Sequence, residues 1–561
     1  MAPQAAQCQS LDLLDAQRMP MSNRFADASV IIVGGGIAGI VAALELARNR
    51  HPVLLLDRDL ESNFGGQARE SFGGIFAVDT PIQRRNGIGD SPALALADWQ
   101  RFGELGPEDG WPFRWAQAYV HECRHEVFDW LASNGVRFLP VPLWPERRGN
   151  SVARWHIVWG TGAELTLRLI ARLKAHASWL DLRFGHRVER LLVENGRIRG
   201  VAGALESSGD RFELHGSAVL IASGGIGGDL ALVRRLWPSE CGPAPRQLLN
   251  GGHRFGDGRL LEACRAVGAH ITNMQRMWNY AAGVRHWSAR HPDHGLSLVP
   301  ARSALWLDAQ GHRFEPPLLA GLDTSELVAR IASGGGLSWQ ILNRRIALRE
   351  LAISGAEFNP TIRERRRLAL LRDVVFGNRW LLKTMSQRCQ DWVQADTLPE
   401  LVLRMNALLA ASPGTSTEPV QLQWVEEALQ AFEAARTRPA DKDDLQWENI
   451  RQARRCRTDR WRTARPGPIL EPSAGPLIAI CERIISRKSL GGISSDLDGR
   501  ALDACAEPIA GLFVAGEAAG FGGGGMNGKR ALEGTFLGGC IYSARRAAGG
   551  ILRHAPGVAL R

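Results

Sequence analysis

The 561-residue chain has nine cysteines but no C-x-x-C pair. That spacing argues against a redox-active dithiol and against a zinc or iron–sulfur site built on paired thiolates. It points instead to reduced, mostly buried thiols and a cytoplasmic setting. No apolar run reaches the ~18 residues needed to cross a bilayer. The first 28 residues carry no apolar secretory core, and with Met19 and Met21 just ahead of the first periodic segment they read as a flexible leader. Tyrosine is scarce, with three residues, and lysine scarcer than composition would suggest, with five. The net charge of +10 is therefore almost all arginine, concentrated at Arg363–Arg367 and through Arg451–Arg465. Such clusters suit a solvated helical face better than a nucleic-acid or membrane-surface patch, and no aromatic-basic motif of an RNA or DNA module accompanies them. Internal repeats and low-complexity tracts are absent, as is a second G-x-G-x-x-G for a nicotinamide nucleotide.

What is present is a nucleotide-binding signature. Val30–Val33 is a β-branched apolar run that leads directly into Gly34, Gly36 and Gly39 in the spacing G-x-G-x-x-G. A helix-period segment and a second apolar run ending in Asp57 follow. In this context Gly34 makes the tight turn, Gly36 lets backbone approach a pyrophosphate, and Gly39 lets helix pack on strand. The helix N-terminus offers free N–H groups to phosphate, and Asp57 offers an acceptor to a ribose. Two further glycine pairs, in Gly65-Gly66-Gln67 and at Gly73-Gly74, require the backbone to pass close to something bulky, which a flavin beside this loop explains.

Further along, Leu182–Val201 reads as a hairpin turning at Asn195-Gly196, and Ala218–Gly225 as a buried strand ending in glycines. From about residue 278 the texture becomes loops and helices. Ser416–Arg438 has the 3.6 period through Leu422, Val425, Leu429 and Phe432. Glycine-rich strand–turn units return from about 470, with a strand at Leu512–Ala515 running into Gly516-Glu517. The expected fold is thus α/β: a discontinuous Rossmann-like nucleotide-binding domain, 1–277 plus 470–561, interrupted by an α+β, largely helical cap, 278–469. Tryptophans 99, 111, 115 and 130 read mainly as core, and His156 as structural.

The stretches VIIVGGGIAG, GGQARESFGG, ASGG, KSLGGISSD, GLFVAGEAAG and GGGGMNGKRALEGTFLGG together resemble the succinate dehydrogenase/fumarate reductase flavoprotein superfamily, within it the group of 3-ketosteroid Δ1-dehydrogenases. The resemblance implies FAD at a domain junction, with substrate between the flavin ring and the cap. Carried over by position, Gly34, Gly36 and Gly39 would hold pyrophosphate and Asp57 the ribose. Gly65, Gly66 and Gln67 would pass beside the flavin, and Val188 would present backbone to adenine. Ala222, Ser223 and Gly224 would flank the ribose and pyrophosphate. Gly516 and Glu517 would meet the ribityl chain, with Leu532 in the closing loop. No histidine stands in the second glycine loop, so the FAD is expected to be non-covalent. The turn Gly311–Phe314 lacks the arginine donor that follows it in fumarate reductases, and Tyr119, Tyr280 and Tyr542 do not stand where ketosteroid dehydrogenases carry theirs.

The chemistry expected is dehydrogenation, or its reverse, of a C–C bond next to a carbonyl on a bulky apolar substrate. Electrons would pass to a diffusible quinone or redox protein. Arg530 is the first candidate to anchor the carbonyl oxygen, through its planar fork. Lys488 is the candidate base and Tyr280 the next acid–base group. The competing reading is a flavoprotein that binds nucleic acid or another macromolecule through its basic surface.

Overall fold

Apolar β-branched runs that lack alternation bury both faces, and here they build a parallel sheet. The computed structural model describes residues 29–145, 148–320, 324–412, 418–438, 444–456 and 459–554. The expected leader, 1–28, lies outside the described residues. The first sheet has the order Arg500–Leu502, Pro508–Val514, Ala218–Ile221, Val30–Val33, Val53–Leu56, Leu180–Arg183, all parallel except the antiparallel Arg500–Leu502 edge. Val30 and Ile32 point to a core shared with the helices Ile37–Arg48 and Thr535–His554; Ile31 and Val33 point to the opposite core. That opposite core is closed by Val188, Leu191, Ile198 and Val201 of a three-stranded antiparallel unit. Its hairpin, His186–Glu194 with Arg197–Leu205, turns at Asn195 and Gly196, both with positive φ, as a two-residue Asn-Gly turn demands.

A second sheet of eight strands is assembled around one long strand, Leu477–Ser489. Leu477–Ile480 lies between Gln340–Asn343 and Trp392–Ala395, and farther on Ile485 registers with both Leu249 and Tyr280. Helices flank this sheet, among them Leu398–Ala410, Leu422–Arg436 and Leu445–Arg455, and their apolar faces share one core with it. The periodic run expected from Ser416 forms helix from Leu422; Ser416 itself lies outside the described residues. Residues 278–469 thus contribute strands and covering helices to a sheet whose long central strand, outside that stretch, leads into residues 490–492. Among the described residues no helix is long and apolar enough to cross a membrane.

Trp99, Trp115 and Trp130 are core. Two of them also tie down loops: Trp99 Nε1 donates to the Met526 carbonyl of the glycine-rich loop near the C-terminus (2.9 Å), and Trp115 Nε1 to the Ser495 carbonyl (3.0 Å). His156 is buried between Thr80 Oγ1 (2.8 Å) and the Arg154 carbonyl (2.8 Å). Burial pushes its imidazole down to about 4, so it is a neutral structural group. Beside it, the fully buried Arg154 bridges Asp90 (2.8 Å) and Asp98 (2.6 Å). Without Asp98, Arg154 would keep Asp90, but its Nη1 and the Ser151 N–H and hydroxyl would lose the acceptor that Asp98 provides. Asp98→Ala should cost roughly 1–3 kcal/mol for the donors left unsatisfied, read as a lower urea midpoint; a midpoint shift near zero would show that those donors find other acceptors.

Candidate active site

Parallel strands of an open sheet end at the same edge, and the loops leaving them converge there. Gly34 has φ +114°, and a Cβ on it would collide with the Ala222 carbonyl, so only glycine makes this turn. A Cβ on Gly39 would strike the Gly34 carbonyl, which is how closely helix and turn approach. Gly65 donates its N–H to the Gly35 carbonyl (3.0 Å), laying the second glycine pair against the first turn. A Cβ on Gly36 or Gly224, by contrast, would enter open space. That space lies at the N-terminus of Ile37–Arg48, where Gly36 supplies no side-chain cap. It is a cradle of backbone N–H groups of the kind a pyrophosphate fills.

Asp57 stands at the end of its strand and accepts from the N–H of Gly35 (2.5 Å) and of Asp59 (2.7 Å). An ionised carboxylate has about four lone-pair sites, so acceptor capacity remains for a ribose. Gln67 donates to the Gly251 carbonyl (2.9 Å), a carbonyl shared with Arg487 Nη1 (2.8 Å). Val188 and Leu532 are buried, and Ala222 N bonds back to Val33 O (2.8 Å), which brings Ala222, Ser223 and Gly224 to the same edge. Gly516 donates its N–H to Ser543 Oγ (2.9 Å) and presents Glu517.

Glu517 Oε1 accepts from the N–H (3.0 Å) and hydroxyl (3.2 Å) of Ser489, and a Cβ on Gly225 would run into both Glu517 and Ser489. Burial pushes the Glu517 carboxyl up to about 7, while the Ser489 N–H and the charge of Lys488 pull it part of the way back. The residue next to Ser489 is Lys488, at the end of the long strand. Its Nζ donates to Tyr280 OH (3.0 Å) and sits 3.9 Å from the centre of the Phe536 ring. Tyr280 OH in turn donates to Glu533 Oε1 (2.6 Å). An irregular register in the pairing of Met277–Arg285 with the long strand re-aims Tyr280 onto this line. The result is a chain of ammonium, phenol and carboxylate.

Lys488 and Tyr280 thus come together, whereas Arg530 pairs with Glu104 (2.7 Å), as does Lys529 (2.7 Å). Sequence reasoning did not single out Glu533, whose only mark was an acid in the closing R-A-L-E-G, or Ser489, inside KSLGG. It also passed over Asn527, a buried amide whose side-chain atoms have no hydrogen-bond partner among the described residues. The asparagine of M-N-G in the glycine loop was its signal.

Comparison with known proteins agrees with this edge being a flavin site. The family described as FAD binding domain matches residues 29–537. A KsdD-like steroid dehydrogenase of Mycobacterium tuberculosis (strain CDC 1551 / Oshkosh) is 43% identical over 549 residues, covering 93% of this chain and 95% of that protein. A KsdD-like steroid dehydrogenase of Mycolicibacterium smegmatis is 42% identical over 541 residues, covering 91% and 96%. The 3-ketosteroid Δ1-dehydrogenase from Sterolibacterium denitrificans, solved with 1,4-androstadiene-3,17-dione, shares the fold with a TM-score of 0.68 at 16% identity, over 94% of this chain and 100% of that one. Nothing in these likenesses favours a nucleic-acid-binding flavoprotein.

Two outcomes follow for the cofactor edge. Asp57→Ala should weaken FAD retention, because a hydrogen bond to a charged group contributes roughly 1.5–3 kcal/mol; equal FAD affinity in a fluorescence titration would take Asp57 off the ribose. For Glu517, hydroxyl donors of a ribityl chain favour the carboxylate. FAD binding should therefore release the proton held below about 7, and affinity should fall as pH drops from 7, by at most about tenfold per pH unit. In the folded apoprotein the raised value means a proton that the unfolded chain has lost, so apoprotein stability should decline from pH 4.5 to about 7. Glu517→Gln should flatten both profiles; unchanged profiles in that variant would assign the titration elsewhere.

Proposed function

Because this chain belongs to the FAD-binding-domain family and is an FAD-dependent dehydrogenase of its ketosteroid-dehydrogenase-like group, we propose that it removes two hydrogens from adjacent carbons beside a carbonyl on a bulky, apolar, steroid-like substrate, or adds them in the reverse direction. The observation that carries this reading is the Lys488–Tyr280–Glu533 chain, one residue from the Ser489–Glu517 contact. The likeness to KsdD-like steroid dehydrogenases supports the substrate class.

The α-carbon next to a carbonyl is acidic enough for a positioned base, and the rate gain from such a base is about 10²–10⁴-fold. Bound FAD supplies hydride acceptance from the neighbouring carbon. Tyr280 OH accepts from Lys488 and donates to Glu533, so it can take the α-proton as it passes its own to the carboxylate. Lys488 stabilises the phenol oxygen as negative charge develops there, and the π face of Phe536 holds the ammonium in place. Glu533 keeps the proton until it leaves to solvent; in reduction the same path runs backward. The electrons pass on to a diffusible quinone or redox protein. Arg530, turned to Glu104, has no step in this scheme.

Anaerobic mixing of the holoenzyme with 3-ketosteroids should bleach the visible absorption of the flavin, and an apolar ketone outside the steroid class should do so more slowly. No bleaching by any member would overturn the substrate class. Lys488→Met keeps bulk but removes the ammonium. It should retain FAD, slow bleaching by about 10²-fold or more, and alter the pH dependence of the reduction rate. An unchanged rate and pH profile would remove Lys488 from the proton path.

A further inference from the structure

Helices on a protein surface normally bury one stripe. The helix Arg367–Phe376 buries no residue. Of the twelve large hydrophobic side chains exposed among the described residues, four fall within the thirteen positions 368–380: Leu368 (84% exposed), Leu371 (60%), Phe376 (60%) and Trp380 (46%). Leu368, Leu371 and Phe376 share the outward side of the helix with Arg372, while Asp373 turns inward. The surrounding segment 363–388 carries eight basic and two acidic side chains, a net +6 within a chain of net +10. Glu364 and Asp373 pair with Arg363, Arg366 and Arg372, which leaves the patch strongly positive. At its N-terminal end a cleft of about 580 Å³ opens among Arg137, Trp159, Arg168, Arg365 and Arg367, with Glu164 as its one acid, held by Arg168 and Arg365.

We infer that this face docks on the surface of an anionic phospholipid bilayer, with Leu368, Leu371, Phe376 and Trp380 entering the headgroup–acyl boundary and the arginine cleft taking lipid phosphates. An exposed apolar face ringed by cations is the pattern of an interfacial helix, where hydrophobic entry and headgroup attraction add. A second copy of the chain is a poor occupant, because a two-fold contact would set this arginine ring against itself. Nucleic acid would satisfy the arginines and leave the leucines and phenylalanine in water. The inference stands apart from the substrate reading above.

The test is co-sedimentation of the full-length, FAD-loaded protein with phosphatidylcholine vesicles with and without phosphatidylglycerol. Binding should require phosphatidylglycerol and weaken with added salt. Combined Leu368→Ser, Leu371→Ser and Phe376→Ser should lower the bound fraction about tenfold or more, as should Arg365→Glu with Arg367→Glu, while both variants keep the flavin spectrum. These exposed positions bear on no core, and that spectrum reports a folded cofactor site. Absence of binding at low salt, or binding that survives the apolar substitutions, overturns the inference. So does a dimer that the same substitutions dissociate on size exclusion, and so does an arginine-dependent nucleic-acid shift in place of vesicle binding.

Discussion

The contact between Ser489 and Glu517 is the constraint on which the site depends. It fastens the end of the second sheet's central strand to the loop that leaves the first sheet. With the Gly492–Ala519 bridge and the Ser486 hydroxyl on the Gly227 carbonyl (2.7 Å), it fixes Lys488 relative to the glycine edge. Glu517 is a poor place to put a charge, as its carboxyl at about 7 shows. Burial makes the carboxylate depend on donors, and Ser489 supplies two. A cofactor hydroxyl would add another, so cofactor binding and the fastening of the two sheets reinforce one another through one group.

The nucleotide edge was legible because its signals are local. A glycine that must adopt φ +114° with a carbonyl in the way of any Cβ leaves a mark at one position, as does the Asn195-Gly196 turn. The strands at 30–33, 53–56 and 218–221 were visible as short apolar runs. The second sheet was much less so. Leu477–Ser489 is a conspicuous apolar segment, yet four of its partner strands lie between residues 249 and 395. No local pattern states such pairings. Lys488 and Tyr280 were picked out one at a time, and their contact depends on the irregular register near Trp278. Glu533 was missed for the same reason, since a carboxylate in a glycine loop reads as solvent-facing until a phenol is found beside it. Arg530 illustrates a different point: position in a motif suggested the substrate, and the pairing of its Nη1 with Glu104, more than four hundred residues away in sequence, has no local signal.

Arginine serves three separate ends here. Some, such as Arg154, with Asp90 and Asp98, are buried cross-links. Many more sit in exposed pairs of small energetic worth, such as Arg190 with Glu213. A third set, Arg363, Arg365, Arg366, Arg367, Arg372 and Arg379, gathers around one apolar helix, and net charge alone does not separate these uses. The basic composition is therefore weak evidence for a polyanion partner in general, and becomes informative only where exposed leucine and phenylalanine share the same face.

The central claim is that proton removal beside the carbonyl runs through Tyr280 toward Glu533 while FAD takes the hydride. Flavin reduction by a 3-ketosteroid deuterated at the α-carbon, followed by stopped flow in the wild type and in Tyr280→Phe, addresses it most directly. The account predicts slower reduction with the deuterated substrate, and a larger isotope effect in Tyr280→Phe, where loss of the phenol makes proton removal the dominant barrier. An isotope effect and rate that Tyr280→Phe leaves unchanged would contradict it.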